Sequence, residues 1–207
     1  MSYQSPLLDF SRSDPNNGTL FDTRDGQSYK VVKIGKQIWL AENFRYLPSK
    51  EKGDKYDTSY VCNNDNSYLD KGYGRLYDYD TANNIAPEGW RLPSNKDFQE
   101  LKDFIIKDNN LNDSLVGSYL KSINDWNKPT NIGPNNAKYG FNAKPAGYHS
   151  NDYFNDVNDC TFFWSVVEYN SGFNSGWYLD YGNGTFSCDI SNIRDNDKFS
   201  VRLIKDS

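Results

Sequence analysis

The sequence predicts an α+β fold from the order and composition of its segments. Strand-like segments come first, helical segments occupy the middle of the chain, and strand-like segments return near the end. This order differs from the strand–helix alternation of a parallel nucleotide-binding sheet. The 207 residues fit one domain at 22–207 with a short N-terminal arm at 1–21. Aromatic residues form 16% of the chain, which predicts a core built on aromatic side chains.

The first elements are an irregular arm and a hairpin. Residues 1–20 are rich in turn-forming residues, so they predict an arm without regular structure. Alternation of apolar residues over 29–34, then a Gly-Lys pair, then a second strand over 37–41, predicts a β-hairpin with a two-residue turn. The polar stretch 48–74 lacks periodicity and predicts a long surface loop.

Helices are predicted in the middle of the chain. Ser94 is placed as an N-cap, with Asp97 at the third helical position as in a capping box. The apolar stripe that follows consists of Phe98, Leu101, Phe104 and Ile105. A weaker helical pattern runs from Asn112 to Lys121, and residues 75–85 predict a short helix.

Four strands are predicted to close the chain, at 162–167, 176–181, 185–190 and 199–204. Side chains alternate between the two faces of a strand. In the second of these strands, Trp177, Leu179 and Tyr181 are therefore expected to point inward and Tyr178 and Asp180 outward. The expected core comprises Trp39, Trp90, Leu92, Phe98, Leu101, Trp164 and Val201.

Charge and hydropathy exclude two classes of partner. The net charge is −5 and the pI is about 4.9, whereas nucleic acids and anionic membranes require a basic surface. The chain has no apolar run of the roughly 18 residues that a membrane span requires, so we expect no membrane insertion. The N-terminal segment lacks the basic and apolar regions of a signal peptide.

Few residues are suited to catalysis or to metal binding. Three widely spaced cysteines and the single His149 predict neither a disulfide framework nor a zinc site, although one disulfide beside a free thiol stays open. We therefore expect no catalytic centre and no resident cofactor. Calcium stays open, because Asp152, Asp156 and Asp159 offer hard oxygen ligands, but such loop aspartates are equally typical of a solvated surface.

The segment 169–197 is the predicted binding surface. Tyr, Asn, Asp, Ser and Gly account for 20 of its 29 residues, and it contains no Lys or Glu. This composition is typical of antibody paratopes, in which Tyr supplies contact area at low entropy cost. The alternative is a set of plain hairpin turns. The candidate ligand-binding residues are Tyr169, Asn174, Tyr178, Asp180, Asn183, Ser187, Asp189, Asn192 and Arg194.

Six blocks resemble the Fibrobacter succinogenes major paralogous domain. They are DTRDGQSYKVVKIGKQIWLAENFRY (22–46), GRLYDYDTAN (74–83), APEGWRLPSNKDFQELKDFI (86–105), GFNAKPAGY (140–148), FFWSVVEYN (162–170) and FSVRLIKD (199–206). The resemblance implies a C-type-lectin-like fold with two flanking helices, a small antiparallel sheet and long irregular loops. The family commonly has cysteines where this chain has Ala86 and Leu203, and their joint absence suggests that an apolar contact replaces a disulfide.

The resemblance also implies a class of function. Such domains are bacterial surface or secreted proteins, and some are the variable proteins of diversity-generating retroelements, in which a C-terminal segment is diversified. We expect a non-enzymatic adhesin or receptor-binding module that recognises a protein or glycan at the cell or virion surface. The alternatives are a pilus or virus-fibre subunit that docks through residues 1–21, and an enzyme that is formylglycine-generating-like or depends on paired carboxylates.

Overall fold

The computed structural model describes residues 17–48, 58–127, 137–166, 175–189, 193–194 and 196–206. It is α+β, as predicted. The strands are β1 (Asn17–Asp22), β2 (Gln27–Ile34), β3 (Gln37–Leu40), β4 (Ser59–Val61), β5 (Arg75–Tyr77), β6 (Trp90–Arg91), β7 (Tyr148–Ser150), β8 (Tyr153–Asn155), β9 (Cys160–Ser165), β10 (Ser175–Asp180), β11 (Ser187–Asp189), β12 (Phe199–Ser200) and β13 (Ile204–Lys205). The helices are α1 (Ser67–Asp70), α2 (Tyr79–Asn84), α3 (Asn95–Asn109) and α4 (Val116–Leu120), with 3₁₀ turns at Cys62–Asn64 and Asp113–Leu115.

One sheet joins the two ends of the described chain. Its strand order is β1-β2-β3-β13-β6, and all neighbouring strands are antiparallel. The last strand, β13, lies between β3 and β6, with Ile204 opposite both Trp39 and Arg91. The C-terminal segment therefore completes a sheet that the N-terminal hairpin begins.

A second sheet carries the late strands. Its order is β11-β10-β9-β12-β5-β4, and only the β9–β12 pair is parallel. A separate two-stranded ribbon consists of β7 and β8. The predicted small antiparallel sheet is thus two sheets of five and six strands. This arrangement puts β10, the centre of the predicted binding segment, between β9 and β11.

Helix α3 follows the predicted pattern. The Ser94 side chain accepts from the Asp97 amide, and the Asp97 carboxylate accepts from the Ser94 amide at 2.7 Å, so the capping box is complete. Phe98 packs between Trp39 and Trp177, with ring centroids at 5.1 and 5.5 Å. The helix therefore connects the first sheet to β10 through a single buried ring.

All seven predicted core residues are buried, with at most 5% of each exposed. A charged residue lies beside them: Arg202 is fully buried. Its guanidinium donates to the carbonyls of Leu40 and Phe141 and to Asn43 Oδ1. Burial lowers the pKa of Arg202. Its partners are neutral oxygens at the end of β3 and on two loop residues, so this arginine links several segments at one point.

Several predicted boundaries are wrong. The end of the predicted arm forms β1, because residues 17–22 pair along their whole length with β2. The predicted loop 48–74 contains β4 and α1, although 49–57 lies outside the described residues. The predicted helix 75–85 is a strand, β5, followed by the shorter α2, because Asp78 caps Thr81 and starts the helix late. The predicted final strand divides into β12 and β13.

The structure also bears on the expectations for the cysteines, for His149 and for a membrane-spanning helix. No disulfide joins Cys62, Cys160 or Cys188, all three of which lie in the described residues, so the disulfide that the sequence left open does not form. His149 is 6% exposed and its ring lies 4.4 Å from that of Tyr60, which places it in the packing of the β7–β8 ribbon. Within the described ranges, no helix is long and apolar enough to cross a bilayer.

Candidate binding groove

A groove of about 470 Å³ lies on the outer face of β9 and β10. The two strands are antiparallel, with Tyr178 opposite Phe162 and Asp180 opposite Cys160. Its lining consists of Tyr148, Asp156, Asp159, Cys160, Phe162, Tyr178, Asp180 and Tyr181. We refer to this set as the groove.

Strand alternation explains why β10 contributes to both the core and the groove. Trp177 and Leu179 are 3% and 0% exposed and belong to the hydrophobic core. Tyr178 and Asp180, on the opposite face, are half-buried and line the groove. These four orientations agree with the sequence prediction. The inward placement of Tyr181 is wrong: the strand ends at Asp180, and Tyr181 is 37% exposed at the groove edge.

Three aromatic rings form one wall of the groove. Phe162 is central, with its ring centroid 4.9 Å from that of Tyr178 and 5.4 Å from that of Tyr148. Phe199, which is buried, stacks on Phe162 at 4.8 Å and fixes its position. Burial raises the pKa of Tyr178, and its hydrogen bond with Asp180 raises it further. The Tyr178 phenol is therefore protonated at neutral pH.

Three carboxylates surround these rings. Asp180 Oδ1 accepts from the Gly182 amide at 2.7 Å, and Asp159 Oδ1 accepts from Asn127 Nδ2 at 2.6 Å. Asp156 is exposed, in a left-handed conformation with φ of 53°. Among the lining residues there is no lysine, arginine or histidine. The groove thus combines aromatic surface with unneutralised negative charge.

A buried lysine fixes the turn at one end of the groove. Lys121 is 1% exposed, and its Nζ donates to the carbonyl oxygens of Asp180 and Asn183 at 2.5 and 2.6 Å. The same ammonium lies 5.0 Å from the centroid of the Trp126 ring. Burial lowers the pKa of Lys121 to about 8, against an opposing effect of the Asp180 charge. No sequence pattern indicated this contact, since Lys121 is 59 residues from Asp180 in the chain.

The predicted binding residues fall into three groups. Tyr178 and Asp180 line the groove. Ser187 lies opposite Tyr178 on β11 and is exposed, whereas Asn183 Oδ1 accepts from the Thr185 amide at 2.9 Å and shapes the turn. Arg194 is exposed and does not line the groove. Tyr169, Asn174 and Asn192 lie outside the described residues, as does the side chain of Asp189.

Most groove residues outside β10 were not predicted from the sequence as ligand contacts. Tyr148 and Phe162 were assigned no binding role, because β7 was not predicted and Phe162 was placed in a buried strand. Asp156 and Asp159 were named only as calcium candidates, together with Asp152, which instead lies in the turn between β7 and β8. No group of three His, Cys, Asp or Glu among the described residues is placed to hold a metal ion.

Comparison with known proteins gives one match. Residues 32–205 match the model of the Fibrobacter succinogenes major domain. The matched region begins in β2 and ends in β13, so it includes the described groove residues. No curated protein and no solved structure gives a match.

Proposed function

The chain belongs to the Fibrobacter succinogenes major domain family, and on that premise we propose that it is a non-enzymatic ligand-binding module. Its ligand is a protein or a glycan, and the groove on β9 and β10 is the binding site. The single observation that carries this proposal is that one face of β10 packs in the core and the other lines the groove. Trp177 and Leu179 hold the strand in the core, while Tyr178 and Asp180 face the groove.

The rigidity of β10 and Tyr178 supports this proposal. A binding surface gains affinity when its contact residues are rigid before the ligand arrives. Strand β10 is hydrogen-bonded on both sides, to β9 and to β11. Tyr178 packs on Phe162, so little side-chain freedom remains to be lost on binding. A tyrosine held in this way offers apolar area and a hydroxyl at low entropic cost.

The fold that we propose is C-type-lectin-like. Three features support it: β13 pairs with β3 in the sheet of the N-terminal hairpin, α3 and α4 pack beside the strands, and the described residues between α4 and β7 (121–127 and 137–147) form no helix or strand. On this proposal the protein acts at a cell or virion surface or after secretion, as an adhesin or receptor-binding domain.

We further propose that the late segment is diversified by a retroelement. Diversification is tolerated only where side chains do not support the core. Tyr178, Asp180 and Ser187 meet this condition, whereas Trp177 and Leu179 do not. Sequencing of the source population tests the proposal: substitutions should concentrate at the first three positions and spare the last two. Uniform variation, with no template repeat beside a reverse-transcriptase gene, would contradict it.

The binding proposal is tested on arrays of glycans and synthetic peptides with labelled protein. Tyr178→Ala and Asp180→Ala should each weaken binding of any captured ligand about tenfold, the equivalent of about 1.4 kcal/mol. Tyr153→Ala and Asp152→Asn are the controls, because Tyr153 is 71% exposed, asparagine tolerates the left-handed backbone of residue 152, and neither residue lines the groove. Binding that survives both groove substitutions, with melting unchanged, would refute the proposed site.

A further inference from the structure

We propose that the groove recognises an alkylammonium group, namely a lysine side chain presented by a protein ligand. This inference rests on the proposed function and specifies its ligand. Two independent properties of the groove support it. One is its lining of three carboxylates with no basic residue, and the other is the ring surface that lines the same groove.

The charge argument concerns Asp156, Asp159 and Asp180. All three line the groove, and no basic residue lines it with them. Two cations of the described chain lie nearby, but neither forms an ion pair with these carboxylates, and the charge of Lys121 acts on Asp180 only at longer range. Lys121 is buried, and its donors are directed to backbone carbonyls. Arg194 is exposed, and its charge lowers the pKa of Tyr148 against the larger, opposite effect of burial. A ligand cation in the groove would be attracted by all three carboxylates.

The ring argument concerns the wall formed by Tyr148, Phe162 and Tyr178. An ammonium near the face of an aromatic ring is attracted by the ring quadrupole. The methylene stem of a lysine packs on apolar surface while its charged end stays with polar groups. The groove offers both environments within one volume of about 470 Å³. An ammonium needs no converging set of three ligands, which distinguishes its requirements from those of a metal ion.

Other ligand classes fit less well. An anionic ligand would be repelled by the three carboxylates. A neutral sugar would leave them unneutralised. An amino sugar carries the charge, but it lacks the unbranched methylene stem that packs along an apolar wall. A lysine side chain satisfies the charge and the apolar wall together.

The first experiment follows backbone amide shifts by NMR during titration with Nα-acetyl-lysine methylamide. We expect saturable shifts in β9 and β10, and binding at least tenfold weaker for the Nε-acetylated derivative, which has the same stem without the charge. Equal binding of the two compounds would overturn the inference. Tighter binding of glucosamine than of the lysine compound would overturn the choice of lysine.

The second experiment uses a matched pair of aspartates. Asp156 and Asp152 both adopt left-handed backbone conformations, with φ of 53° and 66°, and both are exposed, but only Asp156 lines the groove. Asparagine tolerates this conformation, so Asp156→Asn and Asp152→Asn should both fold normally. We expect Asp156→Asn to weaken binding of the lysine compound at least threefold and Asp152→Asn to leave it within a factor of about 1.5. Equal effects of the two substitutions would show that the cation responds to the net charge of the protein and does not bind in the groove.

Asp180→Asn provides a second groove variant, because an asparagine oxygen can still accept from the Gly182 amide. This variant should also weaken binding of the lysine compound at least threefold.

The outcomes of these experiments distinguish the lysine inference from the proposed function. If an array ligand that is neutral or anionic loses binding with Tyr178→Ala, the site stands and the lysine inference falls. If no ligand of any charge responds to groove variants, both fall.

Discussion

At the scale of single residues, Arg202 is the least replaceable side chain of the described core. Its guanidinium is fully buried and donates to Leu40 O at 3.0 Å and to Asn43 Oδ1 at 2.6 Å. It also lies 4.5 Å from the centroid of the Phe141 ring. A lysine at this position donates from one nitrogen, whereas arginine reaches these acceptors from two nitrogens of a planar guanidinium, so lysine cannot reproduce the arrangement.

We therefore predict that Arg202→Lys lowers the free energy of unfolding by about 2–4 kcal/mol, since at least one buried acceptor loses its partner at about 1–3 kcal/mol each. Urea denaturation followed by fluorescence measures the change. Arg194→Lys is the control, because Arg194 is exposed, and it should change stability by less than about 0.5 kcal/mol. A loss below about 0.5 kcal/mol for Arg202→Lys would mean that water replaces the missing donors.

The same residue shows a limit of sequence reasoning. Trp39, Phe98 and Val201 were predicted as core from their hydrophobicity and spacing, and all are buried. Arg202, one position after Val201, has no hydrophobic signal, because its burial depends on the carbonyls of Leu40 and Phe141, which lie 162 and 61 residues away in the chain. Burial of a polar group is decided by partners that only the folded chain brings together.

At the scale of elements, Lys121 couples the end of α4 to the turn after β10. The protonated amine is buried at a cost, which is why its pKa falls to about 8. In the unfolded chain a lysine titrates near 10.4. Between these values the unfolded state binds more protons than the folded state, so this group makes stability rise with pH.

We predict that the difference in unfolding free energy between wild type and Lys121→Met grows in favour of wild type from about pH 8 to about pH 9.5. The difference is the useful quantity, because burial raises the pKa of Cys62 and Cys160 and gives both proteins an opposing trend. Urea denaturation across this range measures it. A difference that does not change with pH would show that Lys121 is hydrated in solution. Lys198→Met, which changes a lysine outside this turn, is the control.

The elements also differ in how far the sequence predicts them. Helix α3 was predicted because its start is coded locally, by Ser94 and Asp97, and its inner face by regular apolar spacing. Strands β4 and β7 have three residues each, and their pairing is with β5 and β8. Three residues are too few to establish alternation. Tyr148 was missed as a groove residue for this reason, since it belongs to β7.

At the scale of the whole molecule, closure of the fold depends on contacts between the middle of the chain and its last strand. Strand β13 pairs with β6, with Lys205 opposite Trp90. Leu203 is buried in the hydrophobic cluster against which Ala86 packs. These are the positions at which the resemblance to the family led us to expect a pair of cysteines.

If the cluster keeps the geometry of a cysteine pair, Ala86→Cys with Leu203→Cys should form a disulfide under oxidising conditions. Such a bridge would close a long loop and raise the free energy of unfolding by about 2–4 kcal/mol relative to the reduced double variant. Thiol titration and urea denaturation with and without reductant measure both effects. The single variants are the controls: each should be less stable than wild type, Leu203→Cys more so because Leu203 is fully buried. Thiols that stay free under oxidant would mean that the apolar contact has moved these two positions beyond the reach of a disulfide, so that the chain has lost the geometry together with the cysteines.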